Sequence, residues 1–479
     1  MKLIPVLRPK LLRLELLCVM LLLLLQPVSP WSGAATLAML TLWALRDSRC
    51  SIQALSVGVI VTMANHALVP QQPMVPLFKW LLLFAVLVRV SLDARYRPTA
   101  PPIWTWSFAL FIFISLTFAL LVSYDRALSL LKLFSFGVGA AACLLVFRDR
   151  RVDKQYFGSW FYTLHFAVLA LSLPVMFTSA GYAVSKIGFQ GILNQPQAYG
   201  VYLAPMTAYI TVLAITGYSS FTLILIGIFS WFTIIASGCR TAILACGMAF
   251  LVTFCMSLFF PSVRRLIKPL AVAGFAALVI LSGMGLLATR NDAWIQRFEQ
   301  FLTKGRVQAD SSWQSIWEVS RGQQMSESLE LIKAHPLTGV GFGLDSENGN
   351  LTDEKETALG VPLTASTEQG FIYLAVPAQV GLVGGVIFSM LLISLFTPIF
   401  ATSRFPILVT ALTGLFINNG EMVVLAIGGL GLQLWLLLAW AHESCVTDST
   451  RARHTLHVDK IGRPVSLRAH RRYRAPVQI

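Results

Sequence analysis

Charge is scarce in this sequence. Only 12% of its 479 residues are Asp, Glu, Lys or Arg, against 56% hydrophobic, and the mean hydropathy is +0.70. A soluble fold at that composition has too few polar side chains to cover its surface, so the bilayer must be its solvent. Acidic residues are the scarcer sign, 22 against 37 Lys and Arg. The resulting +15 does not read as a nucleic-acid surface, because the basic residues sit in short clusters between apolar runs, as cytoplasmic loops do. Cysteine patterning is missing as well. The seven cysteines have neither metal-ligand nor disulfide spacing and read as small packing residues. No internal repeat is visible, and no motif calls for a metal or a cofactor.

What is present is a series of apolar runs, near 13–29, 32–45, 52–69, 74–91, 103–122, 127–147, 157–177, 198–216, 219–237, 240–260, 267–288, 369–399, 405–419 and 422–441. Several fall short of the ~20 residues of a full span, so some are expected to be half-helices. The expected fold is all-α, a polytopic integral membrane protein with about 12 to 14 transmembrane helices and one large loop. Alternate loops hold the positive charge: Arg46 and Arg49, Arg95 and Arg97, Arg148 to Lys154, Arg264 to Lys268, and Arg404. By the positive-inside rule both termini are cytoplasmic. The loop at 289–367, with seven Lys/Arg and eleven Asp/Glu, then faces outside.

Four regions follow: a transmembrane bundle over 1–288, the outer loop over 289–367, further transmembrane helices over 368–441, and a basic cytoplasmic tail over 442–479. The tail is expected to be disordered or to rest on anionic headgroups. Lys2, Arg8, Lys10 and Arg13 precede the first apolar run, as in a signal peptide. No convincing cleavage site follows, and the charge alternation needs that span, so a retained helix is expected.

Three features gather on the outward side. Gln190-Gly-Ile-Leu-Asn-Gln-Pro-Gln-Ala-Tyr-Gly200 is rich in amides and turn formers and also reads as a plain re-entrant turn. Ser237-Gly-Cys-Arg-Thr241 sits at the end of a span, where Arg240 is also what a snorkelling arginine looks like. In the loop, Arg321 opens a helical stretch with Met325, Leu329 and Ile332 on one face. Pro336 should stop it, and the glycines Gly339, Gly341 and Gly343 follow. His335 is expected to pack or to cap the helix end. A lone Gly-x-Gly-x-Gly with no preceding strand is not a dinucleotide fold.

Together these features resemble the O-antigen ligase and polymerase superfamily. Arg321, fourteen residues, and then Pro336-Leu-Thr-Gly-Val-Gly-Phe-Gly343 resembles that family's outer loop. Ser237-Gly-Cys-Arg-Thr241 is similar to its Ser-Gly-x-Arg-Thr motif, and Gln195-Pro-Gln-Ala-Tyr-Gly200 to its Asn-Pro-Asn-x-x-Gly-like segment, with Gln195 and Gln197 where Asn is common. Gly381-Leu-Val-Gly384 extends the likeness into the next span, so it runs from about Gln190 to Gly384. The resemblance implies a bacterial inner-membrane glycosyltransferase that takes glycan from a polyprenyl-pyrophosphate carrier at the periplasmic face, without a metal. It implies Arg240 and Arg321 as donor-phosphate ligands, with Asn194, Gln195 and Gly341 among the groups that bind phosphate or sugar. Its implied partners are the lipid-linked oligosaccharide, the lipid bilayer and possible association with a chain-length regulator.

One departure separates this chain from the ligases. They place a His-Asn pair eleven residues before the first Gly of Gly-x-x-Gly, and the corresponding positions here are Gly370 and Phe371. The missing histidine, which the resemblance implies as the base, favours a polymerase of lipid-linked repeats over a ligase. Glu368, in Ser366-Thr-Glu-Gln369, is a candidate replacement, although that tetrad also reads as a capping box. Glu421, in Asn418-Asn-Gly-Glu421, is a second candidate, and equally a headgroup-level loop charge; His66 is a third. The rival class is a transporter or flippase, prompted by Lys79 and Arg89 within an apolar run. Both can instead snorkel to opposite membrane faces. A purely structural assembly partner is the other alternative.

Overall fold

The structure is a computed structural model that describes residues 10–70, 74–98, 100–184, 188–215, 220–259, 322–344, 371–401, 404–421 and 423–461. Among these the chain forms α1 (Arg13–Leu24), α2 (Ser32–Ala44), α3 (Ser48–Thr62), α4 (Val75–Leu92), α5 (Ile103–Leu121), α6 (Arg126–Val146) and α7 (Lys154–Val175). They are followed by α8 (Pro196–Ile215), α9 (Phe221–Ser237), α10 (Arg240–Phe259), α11 (Gln323–Ala334), α12 (Ile372–Phe400), α13 (Phe405–Ile417) and α14 (Leu430–Ile461). No strand forms among the described residues beyond one isolated bridge, Ala64 with Leu193. α4, α5, α6, α7 and α12 are each long and apolar enough to cross a membrane. The protein is an all-α polytopic membrane protein.

The bundle is inverted relative to a soluble one. On α5, Trp104, Ser107, Phe111, Ser115 and Ala119 face inward while Ile103, Trp106, Leu110 and Phe113 point out. Each such outward side chain in water would forgo about 1.5–3 kcal/mol of burial, so this face belongs in lipid. At the centre stands α14, packed on α3, α6, α7, α8, α12 and α13, with Trp435 wholly buried.

Two helix ends depart from expectation. α3 starts at Ser48 because the Asp47 carboxylate accepts the Cys50 N–H at 2.8 Å, and it ends at Thr62 because the chain turns away to pair with Leu193. The last span is expected over 422–441, yet α14 begins only at Leu430. It then continues to Ile461, into the stretch expected to be disordered or to rest on anionic headgroups, since no Gly or Pro interrupts the sequence between Gly431 and Gly462. His442 and Ser444 are buried.

At the end of the bundle where α4 and α6 stop, Arg89 Nε donates to Asp93 at 2.7 Å, and Arg151 bridges Asp93 and Asp149. Burial alone would raise the Asp93 carboxyl, but hydrogen bonds from Arg89, Arg151 and Ser48 outweigh it and bring it down to about 2. Arg89, in the last turn of α4, is thus held in an ion pair with Asp93 just past the end of the helix.

Candidate active site at one end of the bundle

α9 closes on Gly238, whose φ of +66° is the left-handed conformation that ends helices, and α10 opens at Arg240. The Ser237 to Thr241 motif is therefore a tight turn between two helices. Ser237 Oγ donates to Ile234 O and accepts the Cys239 N–H, which fixes the turn. The half-buried Arg240 occupies the first position of a 20-residue helix, where the helix dipole favours an anion.

The Gln195 to Gly200 segment packs directly on this turn. A Cβ on Gly200 would lie 2.4 Å from Cys239 Cβ, and Cys239 Sγ donates to Gln197 O at 3.7 Å. The preceding chain is pinned too: Phe189 N donates to Ala236 O, and Gln190 N to Gly181 O. Asn65, fully buried, donates its side-chain amide to Ala180 O and Gly191 O, while Asn194 N donates to Met63 O at 2.8 Å. This buried network holds Asn194 half-exposed and Gln195 exposed beside the Arg240 turn. His66, next to Asn65, is exposed on the same side.

The third side comes from the loop after α13. Gly420 touches Thr241 so closely that a Cβ there would lie 2.7 Å from Thr241 Cγ2. Arg240 and the half-buried Glu421 thus each adjoin one member of a contacting pair. Asn418 organises the loop, its Oδ1 accepting the Val423 and Val424 N–H groups and its Nδ2 donating to Gly414 O. Val423 to Ile427 then dip into the bundle, and Trp435 Nε1 donates to Val424 O. This re-entrant stretch replaces the first turns of the span expected over 422–441. Two buried groups on the flanking segments, Gln190 Nε2 and Asn419 Oδ1, have no hydrogen-bond partner among the described residues.

The glycine-rich turn after α11 is docked, not flexible. α12 is broken at Val380 and Gly381, whose φ of +68° and ψ of 173° are open only to glycine. The groups released at the break exchange hydrogen bonds with the turn: Val340 N donates to Ala378 O, Gly341 N to Gln379 O, and Leu382 N to Pro336 O. Non-helical backbone at this depth is tolerable because those polar groups are satisfied. Phe342 inserts between Phe111 and Phe136 and is wholly buried, a transfer out of water that contributes about 1.5–3 kcal/mol. Lys132 Nζ, from nearly two turns into α6, donates to Gly343 O at 3.0 Å, and Gln379 Oε1 accepts the Gly343 N–H.

The structure therefore brings Asn194, Gln195, Arg240 and Glu421 to one end of the bundle. Gly341, which the resemblance places among the ligand-binding groups, is buried with its N–H engaged by Gln379 O. What the described residues show there is a packing role. Arg321 and Glu368 lie outside the described residues. The expected helix behind Pro336 is α11, and His335 packs at its end, edge-on to Tyr124. Sequence reasoning missed Lys132 and Gln379; the available signal was a lone cation and a lone amide within apolar runs.

Residues 225–389 match the family model described as O-antigen ligase. Over that stretch, about a third of its length, the chain is similar to the O-antigen ligase family. The matched stretch runs from α9 through the Arg240 turn and the glycine-rich turn to the far side of the break in α12. The Gln190 to Gly200 segment and the Glu421 loop lie beyond it and join the site through contacts alone. No curated protein and no solved structure matches the chain.

Proposed function

We propose that this membrane enzyme is a glycosyltransferase that polymerises polyprenyl-pyrophosphate-linked oligosaccharide repeats at the periplasmic face of the inner membrane, in cell-surface polysaccharide biosynthesis. The observation that carries the reading is the meeting of three segments at the N-terminus of α10, with Arg240 at its first position. A donor pyrophosphate concentrates negative charge at the membrane surface. A guanidinium grips phosphate through two parallel hydrogen bonds, and the helix N-terminus adds its own field. Arg240 and, by resemblance, Arg321 bind the pyrophosphate; Asn194 and Gln195 orient sugar or phosphate oxygens.

In the transfer step an acceptor hydroxyl oxygen attacks the anomeric carbon of the donor glycan. The new glycosidic C–O bond forms as the bond from that carbon to the phosphate oxygen breaks, and the electron pair leaves with polyprenyl pyrophosphate. Arg240 stabilises that charge as it develops. The hydroxyl proton passes to a carboxylate. Glu421 is the candidate that the described residues bring beside the arginine turn, and Glu368 remains the alternative from the sequence.

Polymerisation is favoured over ligation by Gly370 and Phe371 in place of the ligase His-Asn pair; Phe371 stands at the N-cap of α12. The clusters of positive charge support a cytoplasmic position for both termini. Chain length is then open to setting by a partner regulator.

Purified protein in proteoliposomes with labelled lipid-linked repeat tests the reading. Extension of the labelled glycan on its carrier is the expected result. Movement of unchanged donor across the membrane would make the protein a flippase, and transfer to a lipid acceptor would make it a ligase. Arg240→Lys keeps the charge but not the two-point grip, and should lower extension roughly thirty-fold, corresponding to about 2 kcal/mol.

A further inference from the structure

The opposite end of the bundle holds a cleft that glycan transfer does not use. α7 runs from Lys154 here to Val175, whose end adjoins the Gly181 and Gln190 segment of the candidate site. Lys154 and Arg404, at the starts of α7 and α13, line the cleft together with Tyr209 and Ser444, and Trp440 and Pro406 form its apolar wall. It is a shallow cleft open to the outside, with about 430 Å³ of empty space when its mouth is included.

Three observations give the cleft its chemistry. Two cationic side chains face one space. Lys154 Nζ uses one hydrogen on Asp149 O at 3.0 Å, and an ammonium carries three. Ser444 Oγ, on a residue only 3% exposed, has no hydrogen-bond partner among the described residues. The carboxylates that act on Lys154, those of Glu443, Asp149 and Asp153, are not among the lining groups. The donors therefore call for an oxyanion, and the wall of Trp440 and Pro406 calls for an apolar body attached to it. The cleft also lies at the basic end of a membrane bundle, where anionic headgroups gather.

We propose that this cleft binds the phosphodiester headgroup of an anionic phospholipid. Arg404 and Lys154 take the phosphate oxygens, Ser444 Oγ donates to one of them, and Trp440 covers the glycerol. The site is remote from the Arg240 turn, so its occupancy anchors the α7–α13–α14 end and leaves donor binding alone.

The test is native mass spectrometry of the full-length protein titrated with phosphatidylglycerol, phosphatidylcholine or glycerol 3-phosphate, with melting curves on the same samples. One phosphatidylglycerol should be retained well above phosphatidylcholine. Arg404→Ala should weaken its retention roughly ten-fold, as expected for one charge-assisted hydrogen bond. Ser444→Ala should also weaken it while leaving the lipid-free melting temperature unchanged or higher, because no internal hydrogen bond is lost. Equal retention of the two lipids, or wild-type retention by both variants, would overturn the proposal. Glycerol 3-phosphate binding as tightly as the lipid would assign the site to a soluble phosphate and overturn the lipid.

Discussion

Replacing Gly381 by alanine tests the docking of the outer loop on the broken helix. A Cβ at this position would lie 2.0 Å from Leu337 O and 2.5 Å from Thr338 N, both backbone atoms that cannot swing aside. The φ of +68° with ψ of 173° is itself closed to alanine, at a cost of about 1–3 kcal/mol. Relief requires the turn to leave α12, which breaks the three exchanged hydrogen bonds at about 1 kcal/mol each. Either route costs several kcal/mol. The substitution should lower the melting temperature of the purified protein and expose the turn to proteolysis near Leu337. Gly247 is the control: it lies inside α10, and a Cβ added there would meet nothing within 4 Å, so Gly247→Ala should be neutral or add up to about 1 kcal/mol. If the two variants melted alike and were cleaved alike, the docking account would be refuted.

Three further outcomes follow from the same geometry. Gly420→Val would press a branched side chain into Thr241, so glycan extension should fall at least ten-fold, about 1.4 kcal/mol or more in barrier, while the melting temperature moves less than for Gly381→Ala. Lys132→Met removes the donor to Gly343 O and should loosen the same turn, read as faster proteolysis near Leu337 with the cleavage site unchanged. Asp93 is held down at about 2 from an ordinary 3.8, so its contribution of at most about 2 kcal/mol is present above pH 4 and is lost as pH falls from 4 towards 2. The acid limb of the melting-temperature profile should flatten in Asp93→Asn.

The described spans were legible because apolar runs in a bilayer protein are the helices, and the Arg240 turn because Gly238 stops one helix where the next begins; the span expected over 267–288 lies outside the described residues. Helix ends were less so. α14 starts late because Asn418 gathers the N–H groups of Val423 and Val424, and hydropathy does not distinguish a buried re-entrant segment from a helix. The joining of Gly420 to Thr241 was hidden because the two are far apart in the chain and nothing in either stretch names its neighbour. The break in α12 was hidden for a related reason. Gly381 is one glycine in an apolar run, and what makes it indispensable is backbone supplied by the outer loop. Gly339, Gly341 and Gly343 are there because Gln379, Ser123 and Lys132 come too close for side chains.

The most direct test of the central claim is the glycan pattern on the lipid carrier in cells whose only copy of this protein carries Arg240→Ala. The account predicts single repeats accumulating on the carrier, with the finished polymer lost. Long chains retained on the carrier would mean ligation, and carrier glycans and polymer both at wild-type levels would contradict the assignment of Arg240 to the donor phosphate.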